Sequence, residues 1–97
     1  MAEVTDSKLL HIDTGILKKD ACIVLVKTEW NARITDQLEM GCIAELEKLG
    51  VKKTVVITVP GAFEIPFAIK NYYRNAGKKN RADAFIALGC VIKGDTP

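Results

Sequence analysis

The chain predicts an α/β fold, a three-layer αβα domain on a parallel sheet, and three observations predict it. Three apolar runs rich in β-branched residues read as strands, and two segments with apolar residues every three or four positions read as helices. The elements alternate as βαβαβ, which requires right-handed crossovers and places helices on the sheet faces.

Residues 1–20 begin polar and are expected to form a loose N-terminal segment, with 21–97 as the βαβαβ core of a single domain spanning 1–97. The first strand, Ala21–Lys27, is the uninterrupted run ACIVLVK, the pattern of a strand covered on both faces. In Asn31–Leu49 the apolar residues Ile34, Leu38, Cys42, Leu46 and Leu49 recur at helical spacing, and Gly50 supplies the closing glycine. KTVVITV, Lys53–Val59, reads as a second buried strand ended by Pro60-Gly61. AFEIPFAIKNYYRNAG reads as a helix with Pro66 near the first turn, where its missing N–H costs nothing, and with Gly77 as terminator. DAFIALGCVI, Asp83–Ile92, reads as a third buried strand.

Composition narrows the function classes. A 97-residue chain with 48% hydrophobic and 27% charged residues is a folding sequence limited to one domain. So short a chain buries only about two-thirds of its unfolded surface, so an open sheet of this size calls for a partner or for more of the domain. The net charge of +2 arises from 14 basic and 12 acidic residues mixed along the chain, which builds no strong field toward nucleic acid or an anionic membrane. The local run Lys78–Arg81, KKNR, reads as a solvated loop, with a phosphate or RNA patch as the lesser reading. Cys22, Cys42 and Cys90 lack the spacing of a zinc site and fit a reduced, cytoplasmic setting. No signal-peptide pattern opens the chain, and no apolar run approaches the roughly 20 residues of a membrane span.

Ligands of such sheets bind at the carboxyl ends of the strands, which selects Thr28–Asn31, Pro60–Glu64 and Gly89–Pro97. Trp30 can stack on a flat heterocycle or simply pack, and Asn31 can serve a ligand or cap the helix. Glu64, in the first turn of a helix, complements the helix dipole or accepts from ligand hydroxyls. Phe63 reads as core rather than as a ligand platform. Gly94, Asp95 and Thr96 offer an anion cradle. No general base is evident: the sole histidine, His11, is remote from every strand end and reads as a surface or interface residue. The triplet Asp13-Thr14-Gly15 matches the aspartic-protease motif, but those enzymes are all-β, and the helical periodicity here makes the triplet a turn.

Taken together, VPGAFEIP (Val59–Pro66), ALGCVIKGDTP (Ala87–Pro97) and WNARITDQLEMG (Trp30–Gly41) resemble the lumazine synthase family over nearly the whole chain. The resemblance implies a flavodoxin-like sheet, incomplete at the C-terminus. It also implies a transferase of riboflavin biosynthesis that condenses 5-amino-6-ribitylaminouracil with 3,4-dihydroxy-2-butanone 4-phosphate to give 6,7-dimethyl-8-ribityllumazine, with no metal or organic cofactor. By the same resemblance Trp30 stacks on the uracil ring with Asn31 beside it. Ala62, Phe63 and Glu64 hold the ribityl chain and ring, with Glu64 accepting from its hydroxyls. Cys90, Val91 and Ile92 meet the pyrimidine through backbone groups. Gly94, Asp95 and Thr96 bind the butanone phosphate.

The family places its proton-transferring histidine directly after the position of Pro97, so the resemblance assigns no catalytic residue within this chain. Proline is no natural boundary for the fold, and the chain reads as the N-terminal part of such an enzyme, a poor catalyst alone. The implied partners are the two small-molecule substrates and further copies of the chain, in a pentamer or a pentamer-based icosahedral shell. No nucleic acid or membrane partner is expected. The alternatives are a flavodoxin-like domain that only binds its ligand, and a non-catalytic shell subunit.

Overall fold

A computed structural model describes residues 20–92. Strand β1 is Cys22–Thr28, helix α1 Ala32–Lys48, strand β2 Lys53–Val59, helix α2 Ile65–Asn75 and strand β3 Ala84–Leu88. Short 3₁₀ turns at Ala62–Glu64 and Lys78–Asn80 precede α2 and β3. The readings placed on residues 1–19, including His11 and the Asp13-Thr14-Gly15 turn, and on Gly94, Asp95 and Thr96, lie outside the described residues.

The strands form one parallel sheet in the order β2-β1-β3. From β1 the chain moves one place to β2, then reverses and crosses two places to β3. The reversal puts a topological switch point between β1 and β3, where side chains at the carboxyl ends can gather around a ligand. This is the flavodoxin-like order, and the βαβαβ expectation stands.

Alternation along β1 divides the core into two layers. Cys22, Val24 and Val26 pack with Val59 and with Ile65 at the start of α2, while Ile23 and Leu25 pack with Leu46 of α1 and with Val51. Val24, Leu25 and Val26 are fully buried. On the α2 side the Tyr72 and Phe85 rings meet edge to face with centroids 5.9 Å apart, the arrangement their quadrupoles favour.

Several boundaries and burials differ from the sequence reading. Among the described residues only β1 is covered on both faces along nearly its whole length; β2 and β3, which flank it, are half-exposed. Strand β3 ends at Leu88 instead of Ile92. Helix α2 starts only at Ile65, after the 3₁₀ turn, and stops at Asn75 because Ala76 is extended, with ψ 132°; Gly77 is not its terminator. Gly50 does act as expected, with φ 86° just after α1. The KKNR segment is exposed, as the loop reading expected, and is held at Asn80: Lys53 Nζ donates to Asn80 Oδ1 at 2.8 Å and Tyr72 OH to the Asn80 carbonyl at 2.6 Å.

Candidate active site at the strand ends

The first two strand ends are joined through their main chains. Just past β1, the Glu29 N–H donates to the Val59 carbonyl at 2.7 Å and the Trp30 N–H to the Pro60 carbonyl at 3.1 Å. The third end closes on both: a methyl group at Gly89 would lie 3.4 Å from Ile65 Cδ1, 3.6 Å from Ala62 Cβ and 3.7 Å from Thr28 Cγ2. The end of β3 therefore lies close enough to the other two that a single added carbon at Gly89 would touch both.

Around this junction stand the residues the sequence singled out. Trp30 is 55% exposed, so its indole is accessible to a planar ligand. Phe63 is 99% exposed, so the reading of Phe63 as core is wrong: the 3₁₀ turn Ala62–Glu64 turns its ring away from the sheet. Ala62 packs against the α2-side core, and Cys90 is half-buried directly after Gly89. Val91 and Ile92 are exposed.

Glu64 is exposed at the start of α2, next to the unpaired N–H groups of its first turn. A methyl group at Gly61 would sit 3.5 Å from Glu64 Oε2, so the carboxylate lies over the bare Gly61 backbone, in the positive end of the helix dipole. An acceptor there, on a loop joined by main-chain hydrogen bonds to the loop that carries Trp30, suits a ligand that joins a flat heterocycle to hydroxyls.

Asn31 precedes α1 without capping it through its side chain. Its backbone is left-handed, with φ 59° and ψ 46°, whereas a side-chain cap needs an extended residue. Its Nδ2 is buried with no acceptor. A concavity of about 730 Å³ opens beside it, lined also by Arg33, Ile34, Gln37 and Leu38 of α1.

Sequence reasoning missed the supports beneath these residues. Lys27 Nζ, near the end of β1, bonds Asp36 Oδ1 at 2.8 Å and Glu39 Oε1 at 2.5 Å on α1. Those two bonds, Asp36 first, hold the Lys27 ammonium above its ordinary pKa of 10.5. A lysine inside an apolar strand, with carboxylates on the next helix, was the available signal. Thr28 and Thr35 are buried with both hydroxyls bonded to main chain, and nothing in their residue types announces it. Among the described residues no cluster of three or more His, Cys, Asp or Glu could hold a metal ion, and no helix is long and apolar enough to cross a membrane.

Fold and site define a flavodoxin-like α/β protein whose strand-end loops converge on the switch point. Residues 20–97 match the family model of 6,7-dimethyl-8-ribityllumazine synthase. The chain is 40% identical over 90 residues to the 6,7-dimethyl-8-ribityllumazine synthase of Nitrosomonas europaea, covering 91% of this chain and 52% of the relative. It is 47% identical over 79 residues to that of Leptothrix cholodnii, covering 79% of this chain and 49% of the relative. With that of Bacteroides fragilis it shares 44% identity over 75 residues, or 75% of this chain and 50% of the relative. The chain belongs to the 6,7-dimethyl-8-ribityllumazine synthase family, and it spans about half the length of these relatives.

Proposed function

We propose that the protein to which this chain belongs condenses 5-amino-6-ribitylaminouracil with 3,4-dihydroxy-2-butanone 4-phosphate, releasing 6,7-dimethyl-8-ribityllumazine, phosphate and water. The observation that carries this reading is the junction of the strand ends. An exposed indole, a helix-start carboxylate and a buried unspent amide stand on loops tied to one another by main-chain hydrogen bonds.

In this reading Trp30 stacks on the uracil ring and Asn31 Nδ2 donates to a ring oxygen. Ala62 and Phe63 flank the ligand, and Glu64 accepts from the ribityl hydroxyls. Cys90, Val91 and Ile92 offer backbone groups to the pyrimidine, and Gly94, Asp95 and Thr96 hold the phosphate. The uracil amine attacks the ketone to form an imine with loss of one water, phosphate is eliminated, and the ribitylamino nitrogen closes the ring onto the remaining carbonyl carbon with loss of a second water. What residues 20–92 contribute is placement. Holding both reactants in register replaces a bimolecular encounter and can contribute about 7–11 kcal/mol to lowering the barrier. Proton transfer falls to a residue outside 20–92, a stretch without histidine.

The protein acts as a homo-oligomer in the cytoplasm, a pentamer or a shell of pentamers. Supporting association is an apolar groove of about 750 Å³ between α2 and β3, lined by Ile65, Ile69, Tyr73, Phe85 and Ala87. The test is to assay lumazine formation by its absorbance, using the chain alone and together with the C-terminal half of the Nitrosomonas europaea relative. Turnover restored by the added half supports the reading. Product binding with no turnover in the combined sample would leave a binding-only domain, and absence of both would end it.

A further inference from the structure

Thr28 and Thr35 are the buried polar side chains among the described residues, at 1% and 0% exposure. Both hydroxyls serve the turn that carries Trp30 and Asn31. Thr35 Oγ1 donates to the Thr28 carbonyl at 2.9 Å, and Thr28 Oγ1 donates to the Trp30 carbonyl at 3.1 Å. A helical threonine ordinarily gives its proton to the carbonyl four residues back. For Thr35 that carbonyl, of Asn31, lies at 3.4 Å, and a hydroxyl has one proton to give, so the shorter bond to Thr28 takes it. That bond reaches seven residues back and joins helix α1 to the end of β1.

The turn needs such support. Asn31 holds a left-handed conformation, which asparagine adopts more readily than most residues with a side chain but which still needs its neighbours held in place. Trp30 is held at both main-chain polar groups, its N–H by Pro60 and its carbonyl by Thr28, while the residue as a whole is exposed. Main-chain bonds on both sides of the residue therefore fix where its Cα–Cβ bond points, and with it the place from which the indole projects.

We propose that Thr35, acting with Thr28, is the positioning residue that orients Trp30 and Asn31 for ring binding. The proposal rests on the reading in which Trp30 stacks on the heterocycle. Thr35 touches no ligand in it; the threonine hydroxyl fixes the turn, and the turn presents the indole and the Asn31 amide.

Trp30 is the only tryptophan of the chain, so its near-ultraviolet circular dichroism and its quenching by acrylamide report this turn alone. In the full chain, Thr35→Val keeps the shape and removes the hydroxyl, while Thr35→Ser restores it. The expected result is a collapsed tryptophan band and freer quenching in Thr35→Val, with the far-ultraviolet spectrum retained and both signals recovered in Thr35→Ser. The Kd for 6,7-dimethyl-8-ribityllumazine should rise about tenfold in Thr35→Val, the size of a lost stacking contact, and return in Thr35→Ser. Should Thr35→Val lose its far-ultraviolet signal, Thr28→Val, which removes the bond to the Trp30 carbonyl, carries the same test. An unchanged tryptophan band in the valine variant, or no recovery with serine, overturns the proposal whether or not the product binds. Failure of the wild-type chain to bind the product instead brings down the ring-binding reading, and the spectral comparison still decides the role of Thr35 in the turn.

Discussion

The Trp30 N–H donates to the Pro60 carbonyl at 3.1 Å, so the residue proposed to meet the ring is anchored by its main chain to the loop proposed to meet the ribityl chain. Because this anchor is main chain, replacing the Trp30 side chain leaves it in place. Trp30→Phe should keep the affinity for 6,7-dimethyl-8-ribityllumazine, as titration calorimetry would read it. Trp30→Ala should weaken it about tenfold, the scale of one stacking contact, while stability changes by less than about 1 kcal/mol. Equal affinity in wild type and Trp30→Ala would remove Trp30 from the site.

Glu64 is exposed and its carboxylate makes no capping bond to α2, so its contribution to folding is confined to the helix dipole, about 0.3–1 kcal/mol. A ligand hydroxyl bonded to a carboxylate is worth about 1.5–3 kcal/mol. Glu64→Ala is therefore expected to weaken binding of the ribityl substrate by about tenfold or more with little change in melting temperature. Comparing ribityl and non-ribityl lumazines isolates the contact: the variant should lose affinity only for the former, and an equal loss for both would refute the assignment.

At Gly89 the added carbon of alanine meets Ile65, Ala62 and Thr28 at 3.4 to 3.7 Å, within ordinary van der Waals contact. Its backbone is not left-handed, so alanine meets no strain of that kind. Gly89→Ala should change the unfolding free energy by less than about 1 kcal/mol. Gly89→Leu has no room against Ile65 and Ala62, should cost about 1–3 kcal/mol by urea unfolding, and should displace the 62–64 turn that carries Phe63 and Glu64. A leucine variant as stable as wild type would show that the three strand ends do not meet as described.

The order of elements was legible because each rests on a local pattern: an apolar run for β1, helical spacing for α1, a proline in the first turn of α2. Strand order was not. The run of β3 is as apolar as that of β1, and nothing within it reveals which strand lies at the centre. The same gap explains Phe63, whose hydrophobicity suggested core until the 3₁₀ turn placed it outside. At the site, Trp30, Asn31 and Glu64 could be singled out by chemistry and position. Thr35 could not: a threonine in an amphipathic helix reads as polar surface, and its bond to Thr28 falls outside the four-residue helical pattern.

Three groups make the fold sensitive to alkali, and each acts in the same direction. Burial raises the Cys42 thiol above its ordinary 9.0, and burial, followed by the nearby Cys22, raises the Tyr72 phenol above 10.0. The Asp36 and Glu39 bonds raise Lys27 above 10.5. In every case the folded protein holds a proton that the unfolded chain releases earlier, so stability is present below the unfolded pKa and falls as pH rises through the folded one. The urea midpoint should therefore decline across the window from about pH 9 to about pH 11. Cys42→Ala should flatten the start of that decline, and Lys27→Met its upper end. Because Lys27 ties the end of β1 to α1, Lys27→Met should also loosen the turn above it, visible as freer quenching of Trp30 at neutral pH. A midpoint that stays level or rises over this window would show that these protons are not linked to folding.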